Sequence, residues 1–391
     1  MPVQLDWNLI SIIVFYSLIA LFFFIKRKNV EVQSKIIFLY KTKRFNNLLK
    51  KIGTKFPRFW KWFGYAGIPV GFVVMFLIFG YLLYSLVKLF IVPQAAPTLS
   101  LVIPGVHIPG SSIFVPFWYG IIALFIVILV HEGAHGVVAS ALKQKIKSSG
   151  VGMMAVLPLA FVEPDEKKLE KQPAKTQLAI FSAGTMANFV TAAIVILLSL
   201  FLVAPVVSSV IVPNGTYLES VTSGMPAELA GLHHGQILTV IDGQDIVTVA
   251  NFTNYMNNVK PGQAIILKAD NENYEIITIQ DPLNASKPHI GIQFRQNIGI
   301  KEELAQKYGK LPWIPWYLLQ LMQWIFMLNL GIGMINLLPL GPIDGGRMAN
   351  IALKSRMKNK EKAKKLFSII SALSLILLLA NLIVPYIMKA L

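Results

Sequence analysis

The apolar positions of the chain fall into long unbroken runs rather than the one-sided stripes of helices that face water. Six stretches, residues 7–25, 68–92, 113–142, 178–203, 313–340 and 366–388, are almost wholly apolar. Each approaches or exceeds the roughly 20 residues of helix that cross a bilayer, so they predict six transmembrane helices. The run 7–25 is read as a retained span. Asp6 precedes it, Lys26, Arg27 and Lys28 follow it, and no small-residue cleavage site stands after it. The pattern changes between the fourth and fifth runs. Residues 208–212, 237–241, 264–269, 274–280 and 289–294 are rich in β-branched side chains and bounded by Gly, Asn, Pro or Asp, which predicts strands. Residues 226–230 and 249–259 read as helices.

Composition agrees with this reading. Of 391 residues 55% are hydrophobic and 14% charged, with a mean hydropathy of +0.60, too little charge for a water-soluble chain of this size. There is no cysteine, which excludes disulfides, thiolate metal sites and a cysteine nucleophile.

The net charge of +17 raises the question of nucleic acid, and its distribution answers it. Of the 36 basic residues, 12 lie between Lys26 and Lys61, seven between Lys143 and Lys175 and eight between Arg347 and Lys365. Residues 93–112 carry no charge, and residues 205–311 hold seven basic and ten acidic side chains. Basic and non-basic loops therefore alternate across six spans, the bias of cytoplasmic against outer loops. No nucleic-acid partner is called for. The pattern puts both termini and the strand-rich insert outside. The predicted fold class is an α-helical polytopic membrane protein with about six transmembrane helices and an inserted extracytoplasmic α+β domain. Along the chain this gives an N-terminal transmembrane hairpin (1–112), a first part of the membrane core (113–205), the insert (206–300), a second part of the core (301–348), and a basic loop with the last span (349–391).

The third run contains His131-Glu132-Gly133-Ala134-His135. On a helix this spacing puts both imidazoles on one face, one turn apart, where they can share one metal ion. Glu132 can then take a proton from a metal-bound water. Two histidines and a glutamate inside an apolar span are costly unless they act. A catalytic zinc usually has three protein ligands. The fifth run ends in Asn336-Leu-Leu-Pro339-Leu-Gly-Pro-Ile-Asp344-Gly345-Gly346-Arg347, where Asp344 is the only acid. By the charge pattern both runs cross in the same direction. His131 lies about 18 Å of helix before Lys143 at 1.5 Å per residue, and Asp344 lies closer still to its basic loop. Both then fall in the inner half of the bilayer, where they can meet.

These two motifs resemble those of the site-2 protease family of intramembrane zinc metalloproteases, His-Glu-x-x-His in one transmembrane helix and Asn-x-x-Pro-x-x-x-x-Asp-Gly in a later one. The resemblance covers roughly residues 113–346. It implies that His131, His135 and Asp344 hold one zinc ion, that Glu132 is the catalytic acid/base, and that the substrates are membrane proteins cut within the bilayer. The run Phe181-Ser-Ala-Gly184-Thr-Met-Ala-Asn188 is similar to the family's small-residue motif. Asn188 is then either a donor to the scissile carbonyl or a hydrogen bond in a helix seam. Residues 150–164 are too short to span and read as a re-entrant hairpin, either an edge that holds substrate as a strand or a packing element. Within the insert, Pro226, Ala227, Ala230, Gly231, Leu232, Gly235, Ile237, Ile241 and Gly243 resemble a bacterial-type PDZ domain, with Gln236 where Asp is usual. That domain implies contact with peptides or ectodomains, or a spacer without ligand. His233, His234 and His289 read as surface residues, and His107 falls in the Pro-rich outer loop with no partner visible in the sequence. The rival reading is an intramembrane metal-ion or proton transporter, whose polar residues would be spread over several spans instead of gathered at one site.

Overall fold

The structure is a computed structural model that describes residues 7–33, 37–91, 99–108, 111, 113–154, 157–282 and 284–390. The chain forms two compact units, Met1–Ser199 with Gln320–Leu391, and Leu200–Leu319. Among the described residues six helices are long and apolar enough to cross a membrane, and the chain is an integral membrane protein.

The first unit opens with helix α1 (Trp7–Ile25), strands β1 (Val30–Gln33) and β2 (Ile37–Lys41), the amphipathic helix α2 (Lys43–Lys55) and the long helix α3 (Pro57–Ile91). The sequence pattern placed the second span at 68–92, whereas α3 starts at Pro57. Proline suits the first turn of a helix, and the Arg58 and Lys61 charges hide the apolar run from a hydropathy window. The strands and α2 lie in what composition presented only as a basic loop. Helix α4 (Phe117–Ala141) follows, then strands β3 (Ile146–Met154) and β4 (Leu157–Pro164), a single turn α5 (Glu166–Leu169) and helix α6 (Ala174–Leu198). The expected hairpin is formed by β3 and β4, with residues 155 and 156 outside the described ones. The four strands make one antiparallel sheet in the order β1-β2-β3-β4, so β4 is an edge.

Helix packing in this unit depends on close approach along α3. A Cβ on Gly64 would meet Val138 of α4 at 2.7 Å, and one on Gly67 would meet the Ser182 hydroxyl of α6 at 2.9 Å. The same hydroxyl donates to the Gly64 carbonyl at 3.1 Å. Small residues at such seams replace the hydrophobic drive that lipid removes.

The second unit holds helix α7 (Ala204–Val210), which continues from α6 through a π-helical turn (Ser199–Val203), and strand β5 (Ile211–Val221). The predicted strand 208–212 is therefore mostly helix. Pro205 lies in the first turn of α7, and the β-branched run prolongs the preceding span before it turns extended. Next come α8 (Pro226–Leu229), β6 (Ile237–Ile241), β7 (Gln244–Asp245), α9 (Val249–Met256), β8 (Ala264–Ala269), β9 (Glu272–Ile277), β10 (Ile279–Asp281), β11 (Asn284–His289), β12 (Ile292–Ile300) and α10 (Glu302–Tyr308). The main sheet runs β12-β5-β6-β8-β9, with β7 on β6, and the β10–β11 hairpin stands apart. Predicted strand 274–280 divides at Thr278, whose N–H and hydroxyl turn to the Gln263 carbonyl. Predicted strand 289–294 instead begins at Ile292, because Gly291 has φ +81°. Thr248 and Asn251 form a capping box on α9. Leu218, Leu238, Ile265, Leu267 and Phe252 centre the core between sheet and helix.

The chain then returns to the first unit through α11 (Ile314–Asn336), α12 (Asp344–Arg356) and α13 (Lys360–Ala390).

Candidate metal centre

His131 and His135 stand one turn apart on α4, with ring centroids 4.8 Å apart and planes at 82°. Their Nε2 atoms approach to 3.2 Å. Asp344 reaches them from the first turn of α12. Its Oδ2 lies 3.0 Å from Nε2 of His131 and 3.2 Å from Nε2 of His135. The loop that delivers it is tightly wound. Helix α11 stops at Asn336, and Pro339 and Pro342 prevent its continuation. A Cβ on Gly345 would fall on the backbone of Leu337, and one on Gly346 on that of Leu340. The Gly341 N–H donates to the Ser371 hydroxyl of α13 at 2.8 Å.

Hydrogen bonding fixes which ring nitrogens face the centre. Nδ1 of His135 lies 2.7 Å from the Ile180 carbonyl. A carbonyl only accepts, so Nδ1 carries the proton, and in the neutral ring Nε2 presents a lone pair. The Asn188 amide nitrogen lies 3.1 Å from Nδ1 of His131, and among the described residues its buried oxygen has no hydrogen-bond partner. A ring that offers Nε2 to a metal carries its proton on Nδ1. With its oxygen toward that ring, the amide satisfies both groups at once. Two lone pairs and a buried carboxylate oxygen then converge on one point.

That convergence calls for a cation. A tetrahedral zinc with bonds of about 2.0–2.1 Å separates its donors by about 3.3 Å, and the three edges here are 3.0, 3.2 and 3.2 Å. Among the described residues this is the only group of three or more metal-type side chains so arranged. Space is secured by Gly184 of α6. A Cβ there would lie 2.8 Å from Nε2 of His131 and closer still to Nε2 of His135. The donor set and the room beside it fit a resident metal ion.

Glu132 lines a cavity of about 370 Å³ together with His131, His135 and Asp344. Its Oε2 accepts from the Val162 N–H at 2.9 Å. Val162 belongs to the edge strand β4, and Leu159 and Ala160 line the same cavity. Backbone groups of a strand alternate in direction, so the N–H and C=O of Ala160 point the same way as those of Val162. Asn188 is fully buried and stands behind His131, outside the cavity lining.

Sequence reasoning missed Arg347. It sits one turn after Asp344, lines the cavity, pairs with Glu166 at 3.1 Å and lies over the Phe181 ring at 5.1 Å. Its spacing from Asp344 was the available signal, obscured by the basic loop that it begins. The remaining histidines are elsewhere. His107 stacks on Phe114, His233 and His234 bond backbone carbonyls of the insert, and His289 lies 3.6 Å from Asp281.

Two imidazoles and a carboxylate inside a bundle of membrane-length helices, with a glutamate beside them, define a membrane-embedded metallohydrolase. The profile of peptidase family M50 matches residues 119–380. The chain belongs to that family and is a metalloprotease, and its substrates are proteins. It is 27% identical over 326 residues, 82% of this chain and 79% of the relative, to an uncharacterized protein of Methanocaldococcus jannaschii. Solved structures similar to part of the chain are the PDZ domains of SdrC-like proteins. That of Listeria monocytogenes is 26% identical, covering 23% of this chain and 92% of that one, with a TM-score of 0.19. That of Listeria innocua is 33% identical, covering 22% and 97%, with a TM-score of 0.19.

Proposed function

We propose that the protein is a zinc-dependent endopeptidase that cuts transmembrane segments of membrane-anchored proteins inside the bilayer. The observation that carries this reading is the meeting of the donor triangle, Glu132 and the outward edge of β4 on one cavity. His131, His135 and Asp344 would hold a zinc ion, which would supply Lewis acidity at the cavity. Glu132 takes the proton of the attacking water and returns it to the leaving nitrogen as the peptide C–N bond breaks. The Ile180 carbonyl and Asn188 hold the two imidazole rings in register. A helix hides its carbonyls, so the substrate must unwind. The outward backbone groups of Ala160 and the Val162 carbonyl give the unwound segment a strand edge to pair with, beside the Val162 N–H that Glu132 already holds.

The third ligand provides the test. Asp344→Ala leaves two histidines, a poor zinc site, so zinc content and peptidase activity of the purified protein in detergent should fall together. Full zinc with full activity in that variant would place the metal elsewhere.

The charge pattern further supports an orientation with both termini and the insert outside and the active site toward the cytoplasmic half. Cysteines introduced at Lys50, Gln172 and Lys360 should react with an impermeant reagent only from the cytoplasmic side, and those at Ser111 and Asn271 only from outside. The native chain adds no background. Reversed labelling refutes the orientation.

On that topology the insert acts as a filter, through contact with peptides or ectodomains. A short flexible linker in place of Ile211–Ile300 should preserve cleavage of a minimal transmembrane peptide and change the preference between substrates with large and small outer domains. A folded, zinc-loaded deletion that cannot cut even the minimal peptide refutes the filter.

A further inference from the structure

Helix α2 is divided sharply between two faces. Phe45, Asn46, Leu49, Ile52 and Gly53 turn inward, with Leu49 and Gly53 buried. The outward arc carries Lys43, Arg44, Lys50, Lys51 and Lys55, all exposed, and the helix contains no acidic residue. None of these five cations forms an ion pair with an acid among the described residues.

The residues that follow mark the level of the helix. Phe56, Phe59 and Trp62 are 57%, 51% and 62% exposed at the start of α3, a helix of membrane length. A tryptophan at the end of a span sits at headgroup depth, and Trp62 marks that level here. A basic amphipathic helix joined directly to such a belt lies where lipid phosphates are, and its lysines can extend their charges to them. The other occupant of a basic face is water, which needs neither the aromatic belt nor the exclusion of acids.

The inward face of α2 meets the catalytic machinery. Leu49 fills a notch beside Gly136, the residue after His135. A Cβ on Gly136 would lie 2.6 Å from Leu49 Cδ1 and 3.1 Å from Val162 Cγ1. Leu49, Val137 and Val162 form one buried cluster. Val162 is the residue whose N–H donates to Glu132. Helix α2 is thus in packing contact, through Leu49, with the strand residue that donates to the glutamate.

We propose that the outward face of α2 binds the headgroups of anionic phospholipids and that this docking sets the position of β4 beside Glu132. The second half rests on the proteolytic reading above. The full-length protein is reconstituted in vesicles of phosphatidylcholine with or without about 30 mol % phosphatidylglycerol. A bimane attached at Asn47→Cys, on the outward arc, reports contact through quenching by doxyl-labelled lipid. Quenching by labelled phosphatidylglycerol should exceed that by labelled phosphatidylcholine about threefold at equal mole fraction. The excess should vanish in about 0.5 M KCl, where charges are screened within a few ångströms. Cleavage of a transmembrane peptide should rise about threefold with the anionic lipid.

In Lys50→Gln/Lys51→Gln/Lys55→Gln both responses should disappear while the rate in neutral vesicles stays that of the wild type. Gln and Lys have similar helix propensity, so the fold is kept. The triple Lys→Arg variant should restore both responses. Equal quenching by the two lipids overturns the proposal whatever the activity, and so does a triple Gln variant that responds like the wild type. Lipid-selective quenching without any change in cleavage overturns the coupling to β4. If the wild type cleaves nothing in either vesicle, the proteolytic reading falls and the coupling with it, while the quenching ratio still decides the headgroup face.

Discussion

Glu132→Gln is expected to lower turnover by a factor on the order of 10²–10⁴ or more, the usual contribution of a positioned acid/base, while zinc remains near one per chain. The amide is close to isosteric with the carboxylate. Its oxygen can still accept from the Val162 N–H, now at 2.9 Å from Glu132 Oε2, so the strand edge keeps its place. The amide cannot take a proton from water. Because Glu132 is not one of the three donors gathered within reach of one ion, the metal site keeps its ligands. Peptide cleavage measured beside zinc content separates the two effects. Wild-type turnover in this variant would end the proposed mechanism, and loss of zinc would make Glu132 part of the metal site.

Gly184→Ala should behave opposite to helix propensity. In a helix interior Ala is favoured over Gly by about 1 kcal/mol, and an ordinary Gly-to-Ala change in α6 would stabilise it. At Gly184 the added methyl would lie 2.8 Å from Nε2 of His131 and closer to that of His135. The rings cannot both yield, since Ile180 and Asn188 hold their far nitrogens. Zinc affinity and activity should both collapse, with little change in thermal unfolding of the metal-free protein. Gly133 of α4 supplies the control, because a Cβ there meets nothing within 4 Å. Gly133→Ala should keep metal and activity. Normal zinc binding by Gly184→Ala would show that the rings are not held as described.

Much of this was legible in the sequence. The six apolar runs correspond to α1, α3, α4, α6, α11 and α13, because lipid permits little but long helices. His131, His135 and Asp344 stood out because charge is costly in apolar runs, and the structure brings the three together. Less legible were features set by tertiary contact. Strands β1 and β2 are short and are held by tertiary pairing, β2 on β3 and β1 on β2. Helix α2 is called into place by Gly136 and Val162, which no local pattern reveals. Asn188 was expected to face substrate or a helix seam, and only the fold shows its amide at His131. Gly184 looked like one small residue among several, and its role depends on two rings in another helix.

The glycine row of α3 has a consequence for how the centre is kept true. Gly64 seats α4, Gly67 seats α6, and at Gly71 a Cβ would meet Met348 of α12 at 2.8 Å. The three parts seated on α3 are those that bring the histidines, Gly184 with Asn188, and Asp344. Helix α3 contributes no donor atom, yet it works as a jig against which separately made pieces are aligned. The histidines and the aspartate are far apart along the chain, with an entire domain inserted between them. Loop closure becomes costlier only slowly with length, so alignment to a common rail frees the metal geometry from that domain's size. The insert can then change without recalibrating the centre, whereas a methyl at Gly64 or Gly67 would press on the helix that glycine seats.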